Sequence, residues 1–304
     1  MPYERRKLKI GIAYSGGISK CAYQLGFTKT LLKYVDKSEI KGVSGASMGF
    51  FTGYALSAGK LDKLEWAYRQ IDVEKPWQLA YRVLVKGLFA DTLNGFVHLG
   101  DRLEIPVCFP VCYVPLFSTR YYWLLGEYNP VWKKYVNAAT NFPSLRLLPV
   151  IHKGRFAFDG GAVDNIPIFP LLNCMRPFGE ENLDLLIVLH FDARYDYRKY
   201  FSTEIPVLDI DVSIANGFKK NHFDFSLSYI EEMIASAESY ADGICSALFT
   251  GDCSREGLKK KTDEIFLKEH EARQKNSSLD GWVSVMNAIG RTFRTRTNCY
   301  RKLF

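Results

Sequence analysis

The sequence predicts an α/β fold, and three observations carry that expectation. Residues 8–14 form a short apolar run that ends in Ser15-Gly16-Gly17, and from Ile18 onward apolar residues recur at helical spacing. Residues 40–43 repeat the pattern, running into Gly45-Ala46-Ser47-Met48-Gly49 and then a second helix-like segment. Later runs rich in Val, Tyr, Phe and Trp read as neighbouring strands. A buried strand entering a tight loop and then a helix, twice in succession, belongs to a sheet covered by helices.

Taken in order, the first strand is Leu8 to Tyr14. The first helix carries Ile18, Ala22, Leu25, Leu31, Leu32 and Val35. The second strand is Ile40 to Val43, and the helix after it turns Phe51, Tyr54 and Ala55 to one side. Leu61 to about Leu88 reads as an amphipathic helix, and Ile105 to Phe117 and Tyr121 to Leu125 as strands. A helix covers Val131 to Asn141 and ends before Pro143. Val150 to Phe158 is a strand broken by a Lys153-Gly154 turn, and it delivers Asp159-Gly160-Gly161. Leu185 to Phe191 is the last convincing core strand, and residues 193–218 read as loop-rich and aromatic. The stripe Leu227, Ile230, Met233, Ala237, Ala241, Ile244 and Leu248 marks a long helix, begun either by Ser226 or by the capping box Ser228-x-x-Glu231. That helix is read as docking on the core, with a membrane-lying helix as the alternative.

Composition narrows the class. A chain of 304 residues with 47% hydrophobic and 24% charged residues is ordinary for a globular protein and long enough to bury a full core. The formal charge of +7 allows an anionic membrane, a nucleic acid or an acidic substrate. Seven scattered cysteines with no Cys-x-x-Cys pair argue against a disulfide framework or zinc site and for buried thiols in a reducing, cytoplasmic setting. The histidines at 98, 152, 190, 222 and 270 form no ligand cluster, so no metal is expected. The basic start is followed by glycines rather than by a signal peptide's apolar core, and the uncharged window Ile105 to Thr119 is too short to span a bilayer as a helix and contains three prolines. No membrane-crossing segment is expected.

The chemistry concentrates in three places. Gly45-Ala46-Ser47-Met48-Gly49 is a G-x-S-x-G between a strand and a helix, where a sharp turn lifts a serine hydroxyl clear of the sheet and flanking side chains would collide with the backbone. Ser44 is the rival nucleophile, but Ala46 breaks its pattern. Gly16-Gly17 follows the first strand without completing a Walker A or dinucleotide pattern, which leaves an oxyanion hole or a plain turn. Asp159-Gly160-Gly161 places a carboxylate at a strand end, where a dry pocket would raise its pKa enough for it to act as a base. His190 and His152 are the alternatives for that role.

Together these motifs resemble the patatin-like phospholipase family, in which a glycine-rich loop, a G-x-S-x-G serine and a D-G-G/A aspartate occur in this chain order. The matching segments are Ser15-Gly16-Gly17-Ile18-Ser19-Lys20 with Gly26 beyond it, Gly45 to Gly49, and Asp159 to Pro167. Ala138 to Pro143 is similar to the small-residue stretch that such proteins carry before the aspartate strand. The likeness covers about residues 7–190 and extends through residues 207–210 and 223–226.

The resemblance implies a three-layer sandwich with a mostly parallel central sheet and helices on both faces. It implies a hydrolase domain over residues 1–250, with residues 251–304 a helical or basic extension packed on it. It implies a serine lipid acyl hydrolase without cofactor, acting on a phospholipid or other acyl lipid at a membrane surface. Ser47 would attack the ester, Asp159 would take its proton, and the N–H groups of Gly17 and Ile18 would hold the oxyanion, with Gly16 shaping the loop. Gly45, Gly49, Gly160 and Gly161 are the motif glycines. The family's third loop glycine is Ile18 here, which requires Ile18 to keep φ below zero, and a non-catalytic lipid-binding module on the same fold is the alternative this departure raises. Lys20 is read as a loop-positioning or surface charge and Asp164 as a solvent-facing or capping acid. The basic stretches at residues 194–201 and in the last 14 residues are read as a solvated tail or an anionic bilayer contact rather than a nucleic-acid site.

Overall fold

A computed structural model describes residues 6–72, 95–114, 118–140, 150–152, 154–172, 182–191, 196–197, 204–212, 224–276 and 299–303. Its frame is a mixed, mostly parallel sheet flanked by helices. The strands are β1 (Ile10–Tyr14), β2 (Ile40–Gly45), β3 (Arg102–Val114), β4 (Ser118–Glu127), β5 (Val150–His152), β6 (Arg155–Asp159), β7 (Leu185–His190), β8 (Val207–Asp211) and β9 (Cys299–Leu303). They run β5-β6-β3-β2-β1-β7-β8, with β4 on β3 and β9 on β4. Pairs β1–β2, β1–β7, β2–β3, β7–β8 and β4–β9 are parallel, whereas β3–β4, β3–β6 and β5–β6 are antiparallel. The helices are α1 (Cys21–Leu31), α2 (Met48–Ala58), α3 (Leu61–Ile71), α4 (Pro130–Ala139), α5 (Phe169–Leu172), α6 (Leu227–Phe249) and α7 (Arg255–Asn276).

The two-residue period of a strand sorts the core. Leu185, Ile187 and Leu189 of β7 join the cluster under α1, α2, α4 and α6, while Leu186 and Val188 join the cluster holding Leu171 of α5 and Phe266 of α7. Helices therefore cover both faces, an arrangement compatible with a three-layer sandwich. Pro110 falls where β3 exchanges one neighbour for another: β2 pairs up to Cys108 and β6 pairs from Val111, so the missing N–H interrupts no ladder there.

Several expectations are corrected. Leu185 to Phe191 is not the last core strand, because β8, within the loop-rich 193–218 region, pairs parallel with β7. Its two aspartates disguise a buried strand, and Asp209 is accommodated by the side chain of His190 at 2.6 Å. The long helix begins after Ser226, and the Ser228/Glu231 box does not form: Glu231 pairs with Arg69, and the first free N–H, of Leu227, donates to Asp72 at 3.3 Å. The helix after Leu61 is described only to Ile71, and its expected continuation lies outside the described residues. Beyond residue 250, α7 packs on β8, and the Asp211 N–H donates to Glu269 at 3.1 Å. The backbone of 299–303 adds a strand to β4, so this part of the basic end is not a solvated tail. Cys21, Cys108, Cys112, Cys245 and Cys253 are free and buried. Among the described residues no helix is long and apolar enough to cross a membrane.

Helix α1 packs closely on α6, and Gly26 permits it. A Cβ at Gly26 would lie 2.6 Å from the carbonyl oxygen of Ile234. Gly26→Ala is therefore expected to lower unfolding free energy by about 1–3 kcal/mol in urea titrations. Gly243→Ala, where an added Cβ meets nothing within 4 Å, is expected to raise it by up to about 1 kcal/mol through helix propensity.

Candidate active site

Strand register brings the three motifs to one place. Tyr14 pairs with Gly45, so β1 and β2 end side by side and their loops emerge together. Ser44 pairs with Cys108 of β3, and β6 runs back along β3 to stop at Asp159 opposite Val111. Asp159 thus arrives at the same end of β2 from the opposite direction.

The turn carrying Ser47 is built from main-chain contact. A Cβ at Gly45 would fall 2.6 Å from the Gly49 oxygen, and one at Gly49 would fall 2.4 Å from the Ser15 oxygen. Ser47 itself has φ 51° and ψ −129°, a sparsely populated conformation of the kind found at functional sites. It precedes α2 without capping it, so its hydroxyl is not spent on the helix end, and the residue is partly exposed. Ser44 is fully buried and donates its hydroxyl to the Pro167 carbonyl at 2.6 Å, which removes it as the nucleophile.

Asp159 is completely buried. One carboxylate oxygen, Oδ1, accepts the Gly161 N–H at 2.8 Å, and Oδ2 has no hydrogen-bond partner among the described residues. Burial pushes its pKa up to about 6, with the Ser47 hydroxyl and the Gly161 N–H pulling back toward the ionised form. The Ser47 hydroxyl is near enough to act on the carboxyl without completing a hydrogen bond, the looseness common before substrate binds. Gly160 is held against Pro110, where an added Cβ would lie 2.3 Å from backbone atoms, and Gly161 sits over Ala46.

The glycine loop lies against the serine turn: a Cβ at Gly16 would be 2.9 Å from the Cβ of Ser47. The Gly16 N–H donates to the Asn165 carbonyl at 3.2 Å, so it is committed, which leaves the Gly17 and Ile18 N–H groups as the loop's candidate donors. Gly17 must be small because the Phe191 ring occupies the space a Cβ would take, at 2.4 Å. Ile18 contradicts the expectation of a negative φ. It has φ 53°, so the loop keeps the left-handed shape a glycine would adopt, at a cost on the order of 1–3 kcal/mol for a β-branched residue.

Two residues that motif reading missed hold this strained loop. Asn165 donates Nδ2 to the Gly16 carbonyl at 3.0 Å while its own carbonyl accepts the Gly16 N–H. Gln24, fully buried on α1, donates Nε2 to the carbonyls of Ser15 at 2.9 Å and Leu189 at 3.2 Å. Asn165 lies inside the quoted Asp159–Pro167 segment, whereas a glutamine on an apolar helix face was the signal for Gln24.

The remaining candidates are placed elsewhere. His190 is fully buried with Asp209, and His152 Nδ1 lies 2.6 Å from the Tyr113 hydroxyl, so neither histidine serves Ser47. Lys20 is only 3% exposed and is not a surface charge. Asp164 is fully buried and accepts the Tyr121 hydroxyl, so it is not solvent-facing. Among the described residues no group of His, Cys, Asp and Glu is arranged to hold a metal ion. Compared with models of known protein families, the chain matches none.

The raised pKa of Asp159 has a stability consequence. The protonated form is favoured in the fold, so its contribution is full below about pH 4 and is lost as pH rises through about 6. Asp159→Asn is accordingly expected to be more stable than the parent at pH 8, by up to roughly 3 kcal/mol, and to converge with it near pH 4. Denaturant titrations at the two pH values check this.

Proposed function

We propose that this chain is a serine lipid acyl hydrolase of the patatin-like kind, using a Ser47–Asp159 dyad. The observation that carries the proposal is the convergence of a strained, uncapped serine with a fully buried aspartate whose pKa is pushed up to about 6. A carboxylate near that value is far better matched to proton transfer at neutral pH than one in water. The choice of an acyl lipid as substrate comes from the motif resemblance and is supported by the chain's basic excess.

In this reading Ser47 Oγ attacks the ester carbonyl as its proton passes to Asp159. The charge that develops on the carbonyl oxygen is met by the Gly17 and Ile18 N–H groups. Collapse of the tetrahedral intermediate breaks the ester bond, and protonated Asp159 returns its proton to the departing alcohol. Asp159 then draws a proton from water, which attacks the acyl-enzyme, and the fatty acid leaves as Ser47 recovers its hydrogen. A non-catalytic lipid-binding module on the same fold is the second reading, favoured by the strained positive φ of Ile18 in the loop.

Turnover of a fluorogenic phospholipid tests the proposal. Ser47→Ala is expected to abolish it and Asp159→Asn to reduce kcat by about 10² or more; turnover persisting in Ser47→Ala rejects the proposal. Because the base must be ionised, kcat/KM should rise with pH through about 6. Asn165→Ala is expected to lower kcat about tenfold or more with KM little changed, because it releases Gly16 without touching the acyl chain.

A further inference from the structure

A helix leaves its first N–H groups without partners inside the helix, and a buried one has to be paired by something else. Helix α2 begins at Met48, directly after Ser47. Its next two N–H groups are spent locally, that of Gly49 on the Ala46 carbonyl at 2.9 Å and that of Phe50 on the Ser47 carbonyl at 3.1 Å. The Met48 N–H makes no hydrogen bond among the described residues, although Met48 is only 7% exposed. The Ser47 side chain does not cap the helix, and no acid stands in its first turn to use the positive end of the dipole. A buried donor beside the nucleophile is thus left open.

The glycine loop fixes its place from both sides. Before Met48, a Cβ at Gly16 would lie 2.9 Å from the Cβ of Ser47 and 3.2 Å from the Ala46 oxygen; after it, a Cβ at Gly49 would lie 2.4 Å from the Ser15 oxygen. Met48 therefore sits where the serine turn and the loop meet. A second open group serves the same serine. Asp159 Oδ2 is fully buried without a hydrogen-bond partner, on the carboxyl that the Ser47 hydroxyl approaches. The loop itself offers fewer donors than its glycines suggest. The Gly16 N–H is committed to Asn165, and the Gly17 N–H is shared with the sulfur of Cys21, which lies 3.6 Å from the Ser15 carbonyl oxygen.

We propose that the Met48 N–H is a further donor of the oxyanion hole, acting beside those of Gly17 and Ile18. The proposal rests on the serine hydrolase reading and adds to it a donor supplied by α2 rather than by the loop. As Ser47 Oγ bonds to the ester carbon, its proton passes to Asp159 and the carbonyl π pair moves onto oxygen, where the Met48 N–H meets the new charge. The pair returns to the carbonyl as the alcohol leaves with the proton from Asp159, and the N–H is open again for the deacylation step. A main-chain donor at the first position of a helix is held rigidly, so it needs no rearrangement when the charge appears.

The test removes that one N–H from the full chain. Met48 is exchanged for its α-hydroxy analogue by nonsense suppression, which turns the Ser47–Met48 amide into an ester and keeps the side chain. With a water-soluble nitrophenyl ester as substrate, kcat is expected to fall about 10²-fold with KM little changed. Affinity for a trifluoromethyl ketone, which forms an oxyanion on Ser47, should fall by a similar factor, a parallel that a merely structural role would not produce. The unaltered chain gives a second readout, which keeps the test valid if the ester-linked chain fails to fold. With heavy-nitrogen methionine incorporated, the Met48 amide proton, assigned by its loss in Met48→Leu, should move downfield when the trifluoromethyl ketone adduct forms. A kcat within about twofold of the parent, or a Met48 amide unmoved by the adduct, would overturn the proposal and leave the hydrolase reading standing. A parent that neither turns over the ester nor forms the adduct removes the hydrolase reading and the role of Met48 with it.

Discussion

Main chain packed directly on main chain, where the ends of β1 and β2 meet the turn after β6, is the constraint on which this site depends. The Ser15 carbonyl lies where a Cβ of Gly49 would be, and Pro110 lies where a Cβ of Gly160 would be. Asn165 then ties the third segment to the first through two hydrogen bonds to Gly16. The same closeness has two consequences. It brings Ser47 beside Asp159, and it leaves no room for water around the carboxyl, which raises its pKa.

Strain is placed accordingly. Three described non-glycine residues have positive φ, and two of them, Ile18 and Ser47, face this junction. Such conformations persist only when their surroundings over-determine them. For Ile18 the surroundings are identifiable: the Phe191 ring blocks Gly17, Gln24 fixes the Ser15 carbonyl, and Asn165 fixes both polar groups of Gly16. A loop restrained on three sides keeps its shape even with a β-branched side chain in it.

Much of this was legible before any coordinates. The first two strand–loop–helix units follow from apolar period and glycine punctuation, and both loops lie where the pattern places them. The turn at Gly154 and the strand leading to Asp159 were equally readable, because the apolar run stops at a glycine on either side. β8 was not legible, since Asp209 and Asp211 read as polar until His190 and the α7 residue Glu269 are seen beside them. The sign of φ at Ile18 was misread for a related reason. Residue type reports what a position prefers, whereas this loop is set by partners distant in sequence. Gln24 and Asn165 eluded the motif reading because their work is done on backbone groups, for which no spacing rule exists.

The central claim, that Ser47 is made nucleophilic by Asp159, is tested most directly by mapping a fluorophosphonate adduct by peptide mass spectrometry. The account predicts one modified peptide, with the adduct on Ser47, and labelling that slows by about 10² or more in Asp159→Asn. An adduct on any other residue, or labelling of Ser47 at the same rate without the Asp159 carboxylate, would contradict it.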